Sequence, residues 1–208
     1  MQQAIPAIAI AAVAIFAGAI AMYILHAKRK KSKFKGDAKN GASKGTSPER
    51  MVINRYIENF AMVPSFRAYS KKEAIEKLVN MAGEAFPELV CNVEHAKKAV
   101  FEREESMPTG LDDGIAVPHG RTDGVKQIAG VLAIVDNSEN ENGIIPDYET
   151  IDHSKIKVLC LTLIPNSINT PYLQLLAAFI RVLQDPDSRE QLLSCRTPQD
   201  MRDFFRSI

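Results

Sequence analysis

Cysteine is scarce in this chain of 208 residues, and its count is odd. Cys91, Cys160 and Cys195 show no Cys-x-x-Cys spacing. A disulfide framework and a thiolate metal site both need paired or clustered cysteines, so buried, reduced thiols are expected. No glycine-rich nucleotide fingerprint is present, and there are no internal repeats, which excludes solenoids and propellers. Positive charge is missing ahead of the first apolar run, and charge of either sign is missing from Ala4 to Leu25.

That run fixes the expected organisation of the chain. Twenty-two helical residues span about 33 Å, enough for a hydrocarbon core of about 30 Å. Lys28, Arg29, Lys30, Lys31, Lys33 and Lys35 follow at once. The positive-inside bias then puts the amino terminus outside and everything after Lys28 in the cytoplasm. A cleaved signal peptide, with Ala19-Ile20-Ala21 as its cleavage site, is the competing reading. It requires positive charge before the apolar run and usually a shorter one. A soluble buried helix is a third. The expectation is a single-pass anchor over residues 1–27 in the inner, cytoplasmic membrane. Ala7, Ala11, Ala14 and Gly18 would allow close helix packing but carry only a weak dimerisation signal.

Residues 28–50 hold nine Lys or Arg against two Asp or Glu, and are rich in Gly, Ser and Asn. Such a segment is expected to be a flexible basic tether able to lie on anionic headgroups. It needs no nucleic-acid partner to explain it. The remaining residues carry 17 basic and 23 acidic side chains, so the overall net charge of +1 conceals an acidic domain over residues 51–208.

In that domain Met51–Met62 suggests a short amphipathic helix and Ser65–Tyr69 a short strand. Ser70 with Glu73 forms a capping-box pattern, followed by Ala74, Ile75, Leu78, Val79 and Ala82 at helical spacing. Asn92 opens a helix with Val93, Ala96, Ala99 and Val100 inward, ending near Arg103. Ile128–Val135 and Ile156–Ile164 are strand candidates rich in branched apolar residues. Thr170 and Pro171 open a helix with Leu173, Leu176, Ala177, Ile180 and Leu183 inward. Asp187 and Thr197 are expected to cap two further helices, the second with Pro198 at its first position. Mixed strands and helices imply an α/β fold.

The chemistry concentrates between Arg103 and Gly120. Histidine can act as a nucleophile and carry a covalent group at neutral pH. Arginine meets a phosphoryl group with a planar fork of donors. Gly110 and Gly114 allow the backbone turns that such a site needs. Pro118 restricts Val117 to extended geometry and is expected to aim His119 out of a strand. His95 and His153 are expected to be surface residues, with His153 a lesser candidate to assist at the site.

Arg103-Glu104, Thr109-Gly110 and Gly114-Ile115-Ala116-Val117-Pro118-His119 resemble the enzyme IIA domain of the bacterial phosphoenolpyruvate-dependent phosphotransferase system, of the fructose/mannitol/nitrogen-regulatory type. In that family an R-E…T-G…G-I-A-[IV]-P-H run ends at the phosphorylated histidine. The resemblance extends from about Pro64 to the C-terminus. It implies a mixed β-sheet flanked by helices, the phosphotransferase/anion-transport-type sandwich. It also implies His119 as phosphoryl acceptor and Arg103 as phosphoryl stabiliser. Thr109 and Gly110 would shape the loop and offer donors, and Gly114 would meet a backbone requirement. The implied partners are the phosphocarrier HPr and a IIB component, or a protein regulated by the phosphorylation state. No nucleotide, metal or organic cofactor is implied. Members of the family commonly carry a second active-site histidine in an H-L-[QE]-L-L run. This chain has Tyr172 there, followed by Leu173-Gln174-Leu175-Leu176, which implies different phosphoryl support or, in a third reading, lost phosphorylation. The connection between the two strong strands is longer than the family's, so part of it is expected to be an insertion.

Overall fold

The structure, a computed structural model, describes residues 47–138, 145–168 and 170–208. The expected membrane anchor and nearly all of the expected tether lie outside the described residues. Among the described residues no helix is long and apolar enough to cross a membrane.

The first element, α1 (Pro48–Asn54), starts where Ser47 accepts the amide of Arg50 and Pro48 takes the first turn. It begins three residues before the expected domain start. A 3₁₀ turn (Ile57–Asn59) then leads into β1 (Phe60–Phe66), so the helix expected over Met51–Met62 ends early and the strand expected at Ser65–Tyr69 begins earlier. Pro64 explains why β1 was hard to foresee, since proline removes a ladder donor. It is accommodated at the sheet edge, where the pairing with β4 slips between Val63 and Phe66.

Helix α2 (Lys71–Ala85) buries Ala74, Ile75, Leu78, Val79 and Ala82 as its spacing predicts. Ser70 accepts the amide of Glu73, but the Glu73 carboxylate takes the amide of Tyr69 instead of completing a box at Ser70. Helix α3 (Val93–Ser106) is capped by Asn92 and runs one turn past Arg103, burying Ala96, Val100 and Glu104. Then come β2 (Ile115–Ala116), β3 (His119–Thr122), β4 (Ala129–Val135) and β5 (Val158–Pro165). Helices α4 (Thr170–Gln184), α5 (Pro186–Ser194) and α6 (Pro198–Ser207) close the chain. Thr170 falls within α4. Asp185, not Asp187, caps α5, because Pro186 takes its first turn. Thr197 and Asp200 form a full capping box on α6.

Five strands form one mixed sheet. β1 and β4 pair in parallel, β4 and β5 antiparallel, and β2 and β3 both lie parallel along the far side of β5. Ile115 faces Val158 and His119 faces Thr162, so β2 and β3 keep one register across the Val117-Pro118 interruption. β4 and β5 are buried throughout, which is why both read as continuous apolar runs.

Alternate residues of these strands feed two cores. Leu132, Ile134, Cys160 and Ile164 pack with α1, α4, α5 and α6, while Val131, Ala133, Leu161 and Leu163 pack with α2 and α3. Phe60, Phe179 and Phe205 link β1, α4 and α6 through ring contacts at 5.2 and 5.6 Å. Cys160 and Cys195 are buried as expected, whereas Cys91 is exposed; all three are free.

Candidate active site

β3 sits beside α3 at unusually close range. A methyl group on Gly120 would lie 2.7 Å from the amide nitrogen of Val100 and 2.9 Å from the carbonyl carbon of Ala99. The missing side chain therefore lets the last turns of α3 reach the start of β3. That approach brings Arg103 to His119.

His119 opens β3 and is buried. Its Nδ1 lies 2.9 Å from the carbonyl of Val117, an acceptor only, so Nδ1 carries the proton. Its Nε2 accepts the Nε–H of Arg103 at 3.2 Å and so bears the lone pair. Two contacts thus select one tautomer and leave Nε2 as the nucleophilic atom. Burial pushes the imidazole pKa down to about 4, the Val117 bond opposes this, and the Arg103 charge adds to it. The ring is neutral at ordinary pH.

Arg103 is held from a second direction by donating Nη1–H to the carbonyl of Met107 at 2.8 Å. It occupies the place where a group attached to Nε2 would extend. Moving aside by one donor would let the guanidinium face the oxygens of that group instead of the ring nitrogen.

The loop from Thr109 to Gly114 supports this pair from below. Thr109 donates its hydroxyl to Glu104 at 2.6 Å and its amide to the same carboxylate at 3.0 Å. Both donors are therefore spent on Glu104, and Thr109 does not offer them to a phosphoryl group as expected. A methyl group on Gly110 would collide with the carbonyl of Glu149, and Gly114 has φ +77 with the carbonyl of Lys155 against its open side. Both glycines meet backbone requirements.

Tyr172 lies buried on α4, on the face of the sheet that carries His119 and Thr162. The Arg121 guanidinium stands 5.6 Å from its ring centre, fixed by the carbonyls of Asn166 and Ile168 at 3.0 Å each. Burial pushes the phenol pKa up, while the charges of Arg121 and Arg103 pull it back. The hydroxyl thus stays protonated in the field of two guanidiniums. Of the expected stripe Leu173, Leu176, Ala177, Ile180 and Leu183, α4 fully buries Leu176 and Leu183, while the centre of its buried face is shifted to Tyr172, Leu175, Ala178, Phe179 and Val182. The helix is apolar almost all round, so two stripes fit its period and packing selects one.

Glu104 and Arg121 were not assigned roles from sequence, though Glu104 stands in the motif itself. His153 is exposed, with φ 58, and the two ring partners of His119 are Arg103 and Val117. His95 is exposed and pairs with Asp123 at 3.2 Å. Among the described residues no three His, Cys, Asp or Glu side chains are grouped to hold a metal ion.

A neutral imidazole with a directed lone pair beside a guanidinium is suited to taking up and releasing a phosphoryl group. Comparison with known proteins agrees with this chemistry. The fructose-specific EIIA component of the phosphotransferase system of Haloferax volcanii is 32% identical over 139 residues, covering 67% of this chain and 84% of the relative. The nitrogen regulatory protein IIA-Ntr of Neisseria meningitidis shares the fold with a TM-score of 0.57 at 22% identity, over 72% of this chain and 94% of that one. Enzyme IIAMTL of Escherichia coli, solved in complex with phosphorylated enzyme IIBMTL, superposes with a TM-score of 0.53 at 21% identity, over 71% and 94%. The family model for the phosphoenolpyruvate-dependent sugar phosphotransferase system, EIIA 2, matches residues 58–208, and the chain belongs to that family of phosphotransferase components.

Proposed function

We propose that His119 is the phosphoryl carrier of this domain and that Arg103 stabilises the carried group. In the reaction the Nε2 lone pair attacks phosphorus. A new P–N bond forms as the bond to the donor's ring nitrogen breaks, and the proton stays on Nδ1, donated to the Val117 carbonyl. The observation that carries this reading is the double fixation of the ring, with Nδ1–H on Val117 and Nε2 on Arg103. The donor is an HPr-like phosphocarrier. The recipient is a cysteine of a IIB component in sugar uptake, supported by family membership and by the Escherichia coli complex described above. The uncharged run Ala4–Leu25 and the basic run after it support a membrane tether with the domain facing the cytoplasm.

The test is phosphorylation of the full chain by phosphoenolpyruvate, enzyme I and HPr. An acid-labile phosphate is expected on the parent and not on His119→Ala. A folded parent that takes no phosphate from competent HPr overturns the reading.

A second reading, control of a partner by the phosphorylation state, is favoured by the uncharged run Ala4–Leu25, since a single tethering helix cannot itself carry a sugar across a membrane. Failure to pass phosphate to any IIB, together with phosphorylation-dependent capture of a membrane protein, would select it.

A further inference from the structure

Between β4 and β5 the chain makes a long excursion, and its returning part lies directly against the loop below His119. The carbonyls of Glu149 and Lys155 occupy the open sides of Gly110 and Gly114. The amide of Lys157 donates to the carbonyl of Gly114 at 2.7 Å, and the amide of Asp113 donates to Asp152 at 2.8 Å. Among the described residues of this segment, Asp152 reaches the loop with its carboxylate, and the buried Tyr148 reaches Thr109 with its hydroxyl.

The Tyr148 hydroxyl lies 3.2 Å from Oγ1 of Thr109. Thr109 has already given its own proton to Glu104 at 2.6 Å, so Tyr148 is the donor. Thr109 is in turn a branching point. Its carbonyl accepts the amide of Val117 at 3.2 Å, and the carbonyl of Val117 holds the Nδ1 proton of His119. Its amide and hydroxyl both hold Glu104, the neighbour of Arg103 at the end of α3. Thr109 therefore bonds the backbone of one partner of the His119 ring, Val117, and the carboxylate of the residue next to the other, Arg103. Packing alone asks only for an aromatic ring at Tyr148, and a buried hydroxyl without a partner would be costly. Its presence is accounted for by the network it completes.

We propose that Tyr148 is a positioning residue for phosphoryl transfer at His119. Its hydroxyl locks the Glu104–Thr109 pair, which keeps Nδ1–H on Val117 and Arg103 on Nε2. It touches no reacting atom. The proposal rests on His119 being the carrier, and it makes Tyr148, from the described part of the β4–β5 connection, a support of the active site.

The experiment compares the full chain with its Tyr148→Phe variant, using phosphoramidate as a small phosphoryl donor that needs no protein partner. Phosphoramidate reacts in its nitrogen-protonated form: its P–N bond breaks as the bond to Nε2 forms, and neutral ammonia leaves. Two readouts are taken well below the melting temperature of both proteins. They are the initial rate of phosphohistidine formation and the exchange of the His119 Nδ1 proton, followed by NMR of the nitrogen-labelled histidine.

Tyr148→Phe is expected to slow phosphorylation by about tenfold, as loss of one buried hydrogen bond implies, and to speed Nδ1 proton exchange. Lys71→Met removes the cation 5.7 Å from the Tyr148 ring centre and leaves the hydroxyl in place. It is expected to match the parent in both readouts. Parent-like rate and exchange in Tyr148→Phe would overturn the proposal, as would equal losses in Lys71→Met. A parent that takes no phosphate from phosphoramidate would instead count against His119 as carrier, and the proton-exchange comparison would still decide the role of Tyr148.

Discussion

His119 is buried and its ring neutral, and that burial has a measurable consequence for stability. With its folded pKa at about 4 and a reference value of 6.5, the unfolded chain binds more protons than the folded one between those pH values. The stability tied to the neutral ring is complete above about pH 6.5 and is lost as pH falls towards 4, by about 3 kcal/mol in all. Urea midpoints measured from pH 7 to pH 4 are expected to fall less steeply in His119→Gln than in the parent. Equal slopes would mean that the ring titrates normally. Arg103 contributes at the same scale, since its guanidinium is an electrostatic partner of the ring and donates to Nε2, the atom proposed to take the phosphoryl group. Arg103→Gln is expected to keep the fold and to slow phosphorylation by about 10²–10³-fold, the usual loss when a donor to developing charge is removed. The rate of phosphoryl uptake from HPr checks it.

At the scale of elements, the site exists because α3 and β3 touch backbone to backbone at Gly120. The spacing that brings Arg103 within reach of His119 depends on that contact. Gly120→Ala would place a methyl group 2.7 Å from the amide nitrogen of Val100 and 2.8 Å from its Cγ2. Backbone at that distance cannot rotate away, so helix and strand must separate. The expected cost is about 2 kcal/mol of stability, within the usual range for overpacking, together with loss of phosphorylation beyond what the stability change explains. Urea unfolding read beside the phosphorylation rate separates the two effects. Pro118 acts at this scale too. It interrupts the ladder between β2 and β3 without shifting the register, and its carbonyl still accepts the amide of Thr162 at 3.0 Å.

For the whole molecule, the described residues fold around one sheet with a core on each face, so the domain is expected to be stable without the amino-terminal segment. A chain starting at Thr46 is expected to melt within a few degrees of the full chain and to accept phosphate from HPr at a similar rate. On the tether proposal the full chain fractionates with membranes and resists extraction by high salt, whereas the shortened chain stays in the supernatant. Salt alone releasing the full chain would leave electrostatic attachment and remove the spanning helix. Recovery of both chains in the supernatant would remove the tether altogether. Tethering matters physically because it would raise the local concentration of the domain near membrane partners.

The sequence by itself determined the elements whose cause is local. The caps Ser70, Asn92 and Thr197, the inward stripe of α2, and the unbroken apolar runs of β4 and β5 were all legible, because neighbouring residues supply the reason for them. The motif ending at His119 was legible as well, since few chemistries ask for arginine, glycines and histidine in that order. Tertiary structure decided what depends on distant neighbours. It paired the proline-containing β1 with β4 at an edge and made a strand of the His119–Thr122 segment, which has no apolar pattern of its own. It turned α4 so that Tyr172 is buried more deeply than Leu173, and it seated Tyr148, from the β4–β5 connection, against Thr109. In each of these a local pattern left two arrangements of similar quality, and packing against residues far along the chain favoured one.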